Sequence, residues 1–192
     1  MPRRPDPGAR DRILDIAARL FDEHGVHAVG LQQIIDECSC GKNLLYREFP
    51  SKDELVAAYL DRCRQDWNGV VATVTEPLAD DPAAQLVAIV RAAADKAATQ
   101  GSRGCPLHNT RAEFPDPDHP AHRVAVEHFG TQRARLREIA ARTAAKDPDL
   151  LGDRIMLIID GLYANGAIFG RGGAASTAVT FAEEVIRVAE ND

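Results

Sequence analysis

Apolar residues near the start of the chain recur with the spacing of one helical face. From Arg10 onwards this face holds Ile13, Leu14, Ala17, Ala18 and Phe21. Such spacing is typical of an amphipathic helix that buries one side. Gly25 follows at a position where glycine often ends a helix. We therefore predict a first helix from about Arg10 to the Gly25 stop.

Two shorter helices follow, and then a longer one. A second helix is predicted over about 31–38, with Ile34 and Ile35 facing inward, and a third over about 42–49. Pro50 ends the third helix, because proline cannot continue the helical hydrogen bonds. The Ser51 hydroxyl can cap a fourth helix, whose apolar residues continue to about Val74.

The rest of the chain also shows helical periodicity, interrupted by proline, glycine and aspartate. Ser176 is positioned to cap a last helix that reaches Val188. No segment alternates polar and apolar residues for long enough to predict a strand. We therefore predict an all-α protein of about nine helices. The remaining predicted helices cover about 83–99, 106–113, 121–146 and 150–169.

The composition fits a globular protein with a substantial core. Of the 192 residues, 45% are hydrophobic, yet no run approaches the ~18 apolar residues of a membrane span. The first twelve residues lack the apolar segment of a signal peptide, so we expect none. Four cysteines at positions 38, 40, 63 and 105 are too few and too uneven for a secreted disulfide framework. We expect reduced thiols and a cytoplasmic location.

The charge gives no general attraction to nucleic acid. The formal net charge is -6, and the first 67 residues hold 10 basic against 12 acidic side chains. Any basic surface must therefore arise from local placement. Arg3, Arg4 and Arg10 form a local excess, which fits either an arm along DNA or a solubilising terminus.

Three short helices within about forty residues, the second and third joined by a tight turn, match the helix-turn-helix arrangement. This layout also occurs in helical bundles that do not bind DNA. The residues at particular positions favour the DNA-binding domain over the other bundles. They include Arg12-Ile13-Leu14, Ala17-Ala18, Leu20-Phe21, Gly25, Ile34 and the stretch from Lys42 to Leu55, with its Leu-Tyr-x-x-Phe-x-Ser-Lys spacing.

Over about residues 10–60 these motifs resemble the TetR family of bacterial transcriptional regulators. Further along, Arg103-Gly104-Cys105-Pro106 is similar to the start of one common type of C-terminal domain in that family. The resemblance implies a helix-turn-helix DNA-binding domain over 1–50. It also implies a ligand-binding and dimerisation domain over 51–192, and double-stranded operator DNA as a partner.

The third helix would present polar residues to DNA. Leu45 and Phe49 lie four residues apart and face inward, which turns the polar positions outward. Tyr46 and Lys52 can contact phosphates, and Asn43 can pair with an adenine edge. The alternative is that these are ordinary solvated positions. The predicted DNA-contacting residues are Gln32, Gln33, Lys42, Asn43, Leu44, Tyr46, Arg47 and Lys52.

The segment departs from the family pattern at four positions. Gly30 and Gly41 stand where the family usually has hydroxyl residues that cap helices and reach phosphates. Cys38 and Cys40 stand in the turn, where small or aliphatic residues are usual. They raise the possibility of thiol sensing, although buried structural thiols are the commoner role. The pair lacks the additional Cys or His residues of a zinc site.

The last two helices carry apolar stripes. The first stripe is Leu151, Ile155, Ile158 and Leu162, with Gly161, Gly166 and Gly170 allowing close approach; the second is Val179, Ala182, Val185, Ile186 and Ala189. The resemblance implies that these helices form the four-helix interface of a homodimer. The alternative is that they close the chain's own core.

A small-molecule pocket is expected among apolar residues with a few polar groups. His108 and Arg111 on one short helix favour a ligand with acceptor character. Cys105 lies at a helix start, where a thiolate is favoured, although a structural turn is the simpler role. The candidate pocket residues are Trp67, Leu86, Ile89, Val90, Leu107, His108, Arg111, His128, Phe129, Gln132 and Tyr163.

The resemblance implies a repressor that a small molecule releases from its operator, with thiol modification at Cys38, Cys40 or Cys105 as the alternative signal. No phosphate loop, nucleophile motif or acid–base pair supports an enzyme. His119, His122 and His128 do not have the spacing of a metal site. We expect no metal, no cofactor and no membrane partner.

Overall fold

The computed structural model describes residues 8–99, 101 and 103–191, without the side chains of Arg171 and Ala174. Within these residues it contains nine α-helices and no strand, as predicted. Short 3-10 turns cover Glu76–Leu78, Gly170–Gly172 and Ala174–Thr177. The helices are α1 Ala9–His24, α2 Leu31–Glu37, α3 Lys42–Glu48, α4 Lys52–Thr75, α5 Pro82–Ala97, α6 Pro106–Glu113, α7 Pro120–Ala140, α8 Pro148–Phe169 and α9 Ala178–Asn191.

The chain divides into two compact units. The first contains residues 1–63 and 106–125, and the second contains 64–105 and 126–192. The chain passes from one unit to the other within α4, just before α6 and within α7. The predicted boundary at residue 50 separates functional domains rather than compact units, and it stays a prediction.

Polar caps fix several helix starts. The Ser51 hydroxyl accepts a hydrogen bond from the backbone N–H of Glu54 at 3.1 Å, which confirms the predicted cap of α4. Asp81 and Asp147 cap α5 and α8 in the same way, at 2.8 and 2.9 Å. Both aspartates precede a proline at the first helical position, where a missing N–H has no consequence.

Predicted boundaries of α7 and α9 were wrong, and α9 also continues to Asn191 rather than ending at Val188. Helix α7 ends at Ala140 rather than near residue 146. Beyond this end, Thr143 donates its hydroxyl locally to the Ala140 carbonyl at 2.7 Å, and Arg142 makes a tertiary contact by donating to the Ala79 carbonyl at 3.1 Å. The other error is the cap of α9: Ser176 lies inside a 3-10 turn, and the helix starts at Ala178.

The core of the second unit lies between α5, α8 and α9. Gly166 of α8 faces α5 so closely that a Cβ there would lie 2.7 Å from the Ala97 carbonyl oxygen. A Cβ on Gly152 would lie within 2.9 Å of the Arg137 backbone on α7. These two glycines therefore allow α8 to approach both neighbours within the same chain.

The predicted apolar stripes are part of this core. Leu151, Ile155 and Leu162 are at most 1% exposed, and Ala182 and Ile186 are also buried. The alternative that these residues close the chain's own core is thus correct for them. No helix in the described part of the chain is long and apolar enough to cross a membrane.

Candidate nucleic-acid interface

Helices α1, α2 and α3 form a small bundle around a shared apolar centre. Ile34 of α2 and Leu45 of α3 are fully buried, and Phe49 at the end of α3 is 1% exposed. Leu20 and Phe21 supply the facing surface of α1. Because Leu45 and Phe49 anchor one side of α3, its other side faces outward.

Arg10 connects the beginning of α1 to the end of α3. Its guanidinium lies over the Phe49 ring, 4.2 Å from the centroid, and donates to the backbone carbonyl of Glu48. This contact was missed because 39 positions separate Arg10 from Phe49 in the sequence. Arg3 and Arg4, the rest of the suggested basic arm, lie outside the described residues.

The outward side of α3 is polar. Lys42, Asn43, Tyr46 and Arg47 are exposed, with Tyr46 at 41%, while Leu44 is half-buried. Their orientation is the one that the helical spacing indicates, and their contact with DNA stays a prediction. A helix with one buried and one polar side is suited to insertion into a major groove.

Some of the predicted DNA-contacting groups already have partners within the protein. Arg47 donates from Nε and Nη2 to Glu48 Oε1, at 3.0 and 2.8 Å. Gln32 donates to Asp36 Oδ1 at 2.8 Å, whereas Gln33 is half-buried beside it on α2. A phosphate or base that engages Arg47 must therefore compete with the Glu48 carboxylate.

Lys52 starts α4 next to the interface and is half-buried. Burial lowers the pKa of its ammonium group, while the charges of Glu113 and Asp53 act in the opposite direction. Lys52 is thus a cation held near two carboxylates. A phosphate would add a third anionic partner and favour its charged form.

Glu113, the last residue of α6, is attached to the loop between α1 and α2. Its carboxylate accepts the backbone N–H groups of Val26 and His27, at 3.1 and 2.6 Å. The His27 ring returns a hydrogen bond from Nε2 to the Glu113 carbonyl at 2.8 Å. No local pattern of residues indicates this contact, because the partners are 86 and 87 positions apart.

The histidines near this loop have structural contacts. His119 stacks on Phe114 with ring centroids 4.2 Å apart, and His122 bonds to the Phe114 carbonyl through Nδ1 at 2.9 Å. His27 packs against the same Phe114 ring, with the centroids 4.6 Å apart. In the described residues no group of three or more His, Cys, Asp or Glu side chains is arranged to hold a metal.

The turn between α2 and α3 contains a disulfide bond between Cys38 and Cys40. The expectation of reduced, buried thiols is wrong for this pair, since both residues are also half-exposed. The turn brings their Cα atoms to 5.1 Å, within the range that a disulfide can bridge. Cys63 and Cys105 are not part of a disulfide, and Cys105 is buried.

Both helices beside this turn begin without a side-chain cap. Gly30 and Gly41 are the N-cap residues of α2 and α3, and both have extended backbone conformations that any residue adopts. A Cβ at either position would meet no atom within 4 Å. Glycine is therefore not required here by conformation or by space.

The predicted ligand residues fall in both compact units. Trp67 Nε1 donates to Gln132 Oε1 at 3.0 Å, and Gln132 donates in turn to Asn68 at 3.2 Å. Leu86, Ile89, Val90 and His128 are also buried in the second unit, with Phe129 and Tyr163 partly buried there. Leu107, His108 and Arg111 lie on α6 in the first unit, with Leu107 buried and Arg111 exposed.

A groove of about 630 Å³ runs between α8 and α9. Leu157, Phe181 and Val188 line it, and they are 71%, 53% and 44% exposed. Gly161 lies in the same groove, where a Cβ would meet nothing within 4 Å. The two helices thus have a second apolar side in this groove, and that side is exposed to solvent.

Sequence comparison assigns the N-terminal segment to a known family. Residues 13–59 match the profile "Bacterial regulatory proteins, tetR family". An uncharacterized HTH-type regulator from Mycobacterium tuberculosis is 41% identical over 54 residues, which are 28% of this chain and only 27% of that protein. The uncharacterized HTH-type regulator YxaF of Bacillus subtilis is 26% identical over 80% of this chain and 82% of its own length.

Solved structures extend the similarity to almost the whole chain. A TetR-family transcriptional regulator from Streptomyces coelicolor has a TM-score of 0.90 and 31% identity, covering 95% of this chain and 96% of that one. A putative TetR regulator from Streptomyces avermitilis has a TM-score of 0.77 and 30% identity, covering 95% and 98%. The protein therefore belongs to the TetR family of helix-turn-helix transcriptional regulators.

Proposed function

We propose that this regulator is a cytoplasmic homodimeric repressor that leaves its operator when a small molecule binds the C-terminal domain. The observation that carries the proposal is α3, which is anchored by Leu45 and Phe49 and presents polar side chains outward. Since the chain is a TetR-family regulator, this is the surface that would enter the major groove.

The side chains suggest a division of roles within the interface. Asn43 would read an adenine edge, and Lys42 and Arg47 would reach base edges or phosphates. The Tyr46 hydroxyl and the Lys52 ammonium would contact phosphates, which hold the helix in register. Leu44 would make apolar contact at the groove, and Gln32 and Gln33 would support it from α2.

A homodimer would form through α8 and α9. The groove side chains Leu157, Phe181 and Val188 leave an apolar surface that a second copy can cover. Arg154 and Glu184 have opposite charges and line the same groove, so a two-fold axis can place each against the other of the second copy. A dimer would present two recognition helices to two half-sites.

The inducer would bind among the predicted pocket residues of the C-terminal domain. The polar members of this set are few, as in most small-molecule sites. Trp67 and Gln132 are hydrogen-bonded to each other. A ligand that forms a hydrogen bond with the indole N–H or its acceptor oxygen must therefore compete with this existing hydrogen bond. Ligand binding would favour a conformation in which the two heads no longer match the operator spacing.

Thiol chemistry is a second candidate signal. The disulfide between Cys38 and Cys40 favours it, because the bond lies directly before the recognition helix. Cys105, the third cysteine considered, is buried at 8% exposure and is a less accessible target.

Selection of bound fragments from genomic DNA by the purified protein tests the proposal. Enrichment of one sequence with two-fold symmetry is expected. The variant Tyr46→Ala should lose the enrichment, while the exposed control Glu138→Ala should retain it. Failure of the folded wild-type protein to enrich any sequence would overturn the DNA-binding role. Genes beside the enriched site would then suggest ligands to test for release.

A further inference from the structure

Cys38, Ser39 and Cys40 form the whole connection between the end of α2 and the cap of α3. The disulfide joins the first and third of these residues and closes a small ring around Ser39. Ser39 is exposed, and both cysteines are partly exposed rather than buried. The bond lies two positions before Lys42, the first residue of the recognition helix.

Ser39 has a φ of +50°, and it is the only non-glycine residue with positive φ in the described chain. The left-handed region is sterically unfavourable for residues that carry a Cβ, whereas glycine enters it freely. The turn therefore depends on a conformation that its central residue does not favour. The ring closed by the disulfide limits the other backbone conformations that Ser39 can adopt.

Few other contacts hold this turn. Cys38 donates a backbone hydrogen bond to Ile34 at 2.9 Å, and Ser39 and Cys40 donate longer ones to Asp36 and Ile35, at 3.3 and 3.2 Å. Neither α2 nor α3 has a side-chain cap. The disulfide is thus a covalent restraint on the turn itself, in addition to the packing of Leu45 and Phe49 that holds the rest of α3.

We propose that Cys38 and Cys40 form a thiol–disulfide exchange site, and that the disulfide form is the one with high operator affinity. This inference rests on the proposed DNA-binding function. Two molecules of a low-molecular-weight thiol reduce the bond, giving two cysteine thiols and one molecule of the oxidised thiol. The reverse exchange with that disulfide restores the bond. Reduction lets Ser39 leave the left-handed region, and the first turn of α3 loses its covalent restraint, while Leu45 and Phe49 keep the helix packed.

The test uses the unmodified protein and a duplex enriched by the selection above. Binding is measured by fluorescence anisotropy after treatment with dithiothreitol or with oxidised glutathione, and thiols are counted by maleimide mass shift in denaturant. We expect two reactive thiols in the oxidised protein and four in the reduced one. Operator affinity should fall about fivefold to thirtyfold on reduction, the range that corresponds to a left-handed residue.

Three variants separate the exchange site from general damage. The double variant Cys38→Ser/Cys40→Ser should bind like reduced protein in either buffer. Adding Ser39→Gly should restore most of the affinity, because glycine takes positive φ without a steric penalty. Cys63→Ser should leave the redox response unchanged. Circular dichroism melts establish that each variant is folded.

Equal affinity in the two buffers, tighter binding after reduction, or no rescue by Ser39→Gly would overturn the inference. In the first two cases the protein still binds a specific duplex, so the proposed function stands. If neither redox form of the folded protein enriches a duplex, the proposed function itself fails, and the exchange site has no role in DNA binding.

Discussion

The carboxylate of Glu113 accepts a hydrogen bond from the backbone N–H of His27, with 2.6 Å between oxygen and nitrogen. The same carboxylate also accepts the neighbouring N–H of Val26. These donors lie in the loop that leads from α1 into α2, and the acceptor ends α6. A segment far along the chain thus fixes the entry to the helix-turn-helix.

Removing this carboxylate should loosen the loop. In Glu113→Ala, the partly buried N–H of Val26 and the exposed N–H of His27 lose a charged acceptor, so the free energy of unfolding should fall by about 1–3 kcal/mol. Amide hydrogen exchange at Val26 and His27 should accelerate. Glu113→Gln, which keeps one carbonyl oxygen, should lose less, and the exposed control Glu138→Ala should change neither measurement. Unaltered exchange in Glu113→Ala would contradict the role.

The interface residues should separate into two classes by salt dependence. Lys52→Gln should weaken binding to all duplexes and reduce the slope of log K against log salt by about 0.9, the value for one phosphate contact. Lys146→Gln makes the same charge change at an exposed position of the second unit and serves as its control. If Lys52→Gln and Lys146→Gln changed the slope equally, the contact between Lys52 and a phosphate would be refuted.

Asn43→Ala should instead relax sequence preference. The expected loss is about 1–3 kcal/mol at one or two base pairs of the enriched site, with little change in the salt slope. Competition assays with single-base variants of the duplex provide the measurement. Uniform weakening across all duplexes would assign Asn43 to the backbone rather than to a base.

Leu157→Glu should prevent dimerisation without unfolding the chain, because the side chain is 71% exposed in the groove between α8 and α9. Light scattering after size exclusion should show a monomer of about 20.8 kDa. Leu150→Glu adds the same charge to an exposed leucine of α8 that does not line the groove, and it should remain dimeric. A dimeric Leu157→Glu protein would place the interface elsewhere.

Asp153 should give the contact between α7 and α8 a characteristic pH dependence. Hydrogen bonds from Arg133 and Arg137 hold the pKa of its carboxyl well below its ordinary value of 3.8. A carboxyl group whose pKa is lowered by folding stabilises the protein at pH values above its ordinary pKa. This stabilisation is lost as the pH falls towards the folded-state pKa. Asp153→Asn should therefore lower the melting temperature at pH 7.

The difference between Asp153→Asn and wild type should shrink steadily below about pH 4. Thermal melts across pH 2–7 provide the measurement. The exposed control Asp95→Asn should melt close to wild type throughout. A gap that stays constant down to pH 2 would show that the substitution acts through packing rather than through charge.

Gly41→Ser should strengthen the start of α3. The backbone is already extended and the space is open, so a serine hydroxyl can cap the helix and add a few tenths of a kcal/mol. Gly41→Ala has the same backbone effect without the hydroxyl. The serine variant should melt higher than the alanine variant, and it should also bind the operator more tightly. The reverse order would exclude a capping role.

Local signals account for the elements that were predicted well. Helix α6 has its predicted bounds because Pro106 starts it and a segment containing two prolines follows it. The buried side of α3 followed from the spacing of Leu45 and Phe49. In each case residues within one or two helical turns determine the structure.

The remaining features depend on distant residues. Both Leu157 and Ile158 are apolar, so periodicity does not reveal that the first is exposed and the second is 9% exposed in the core. The end of α7 depends on the contact of Arg142 with Ala79, 63 positions away. The disulfide depends on the backbone path through Ser39, which sequence spacing does not specify.

The shortness of α3 limits what one copy of the protein can distinguish. Its 7 residues extend about 10 Å along the helix axis, comparable to the rise of about three base pairs. A sequence of three base pairs recurs by chance throughout any genome, so one recognition helix cannot specify a unique site. In the proposed homodimer, a second recognition helix at a fixed distance along the duplex would supply further specificity.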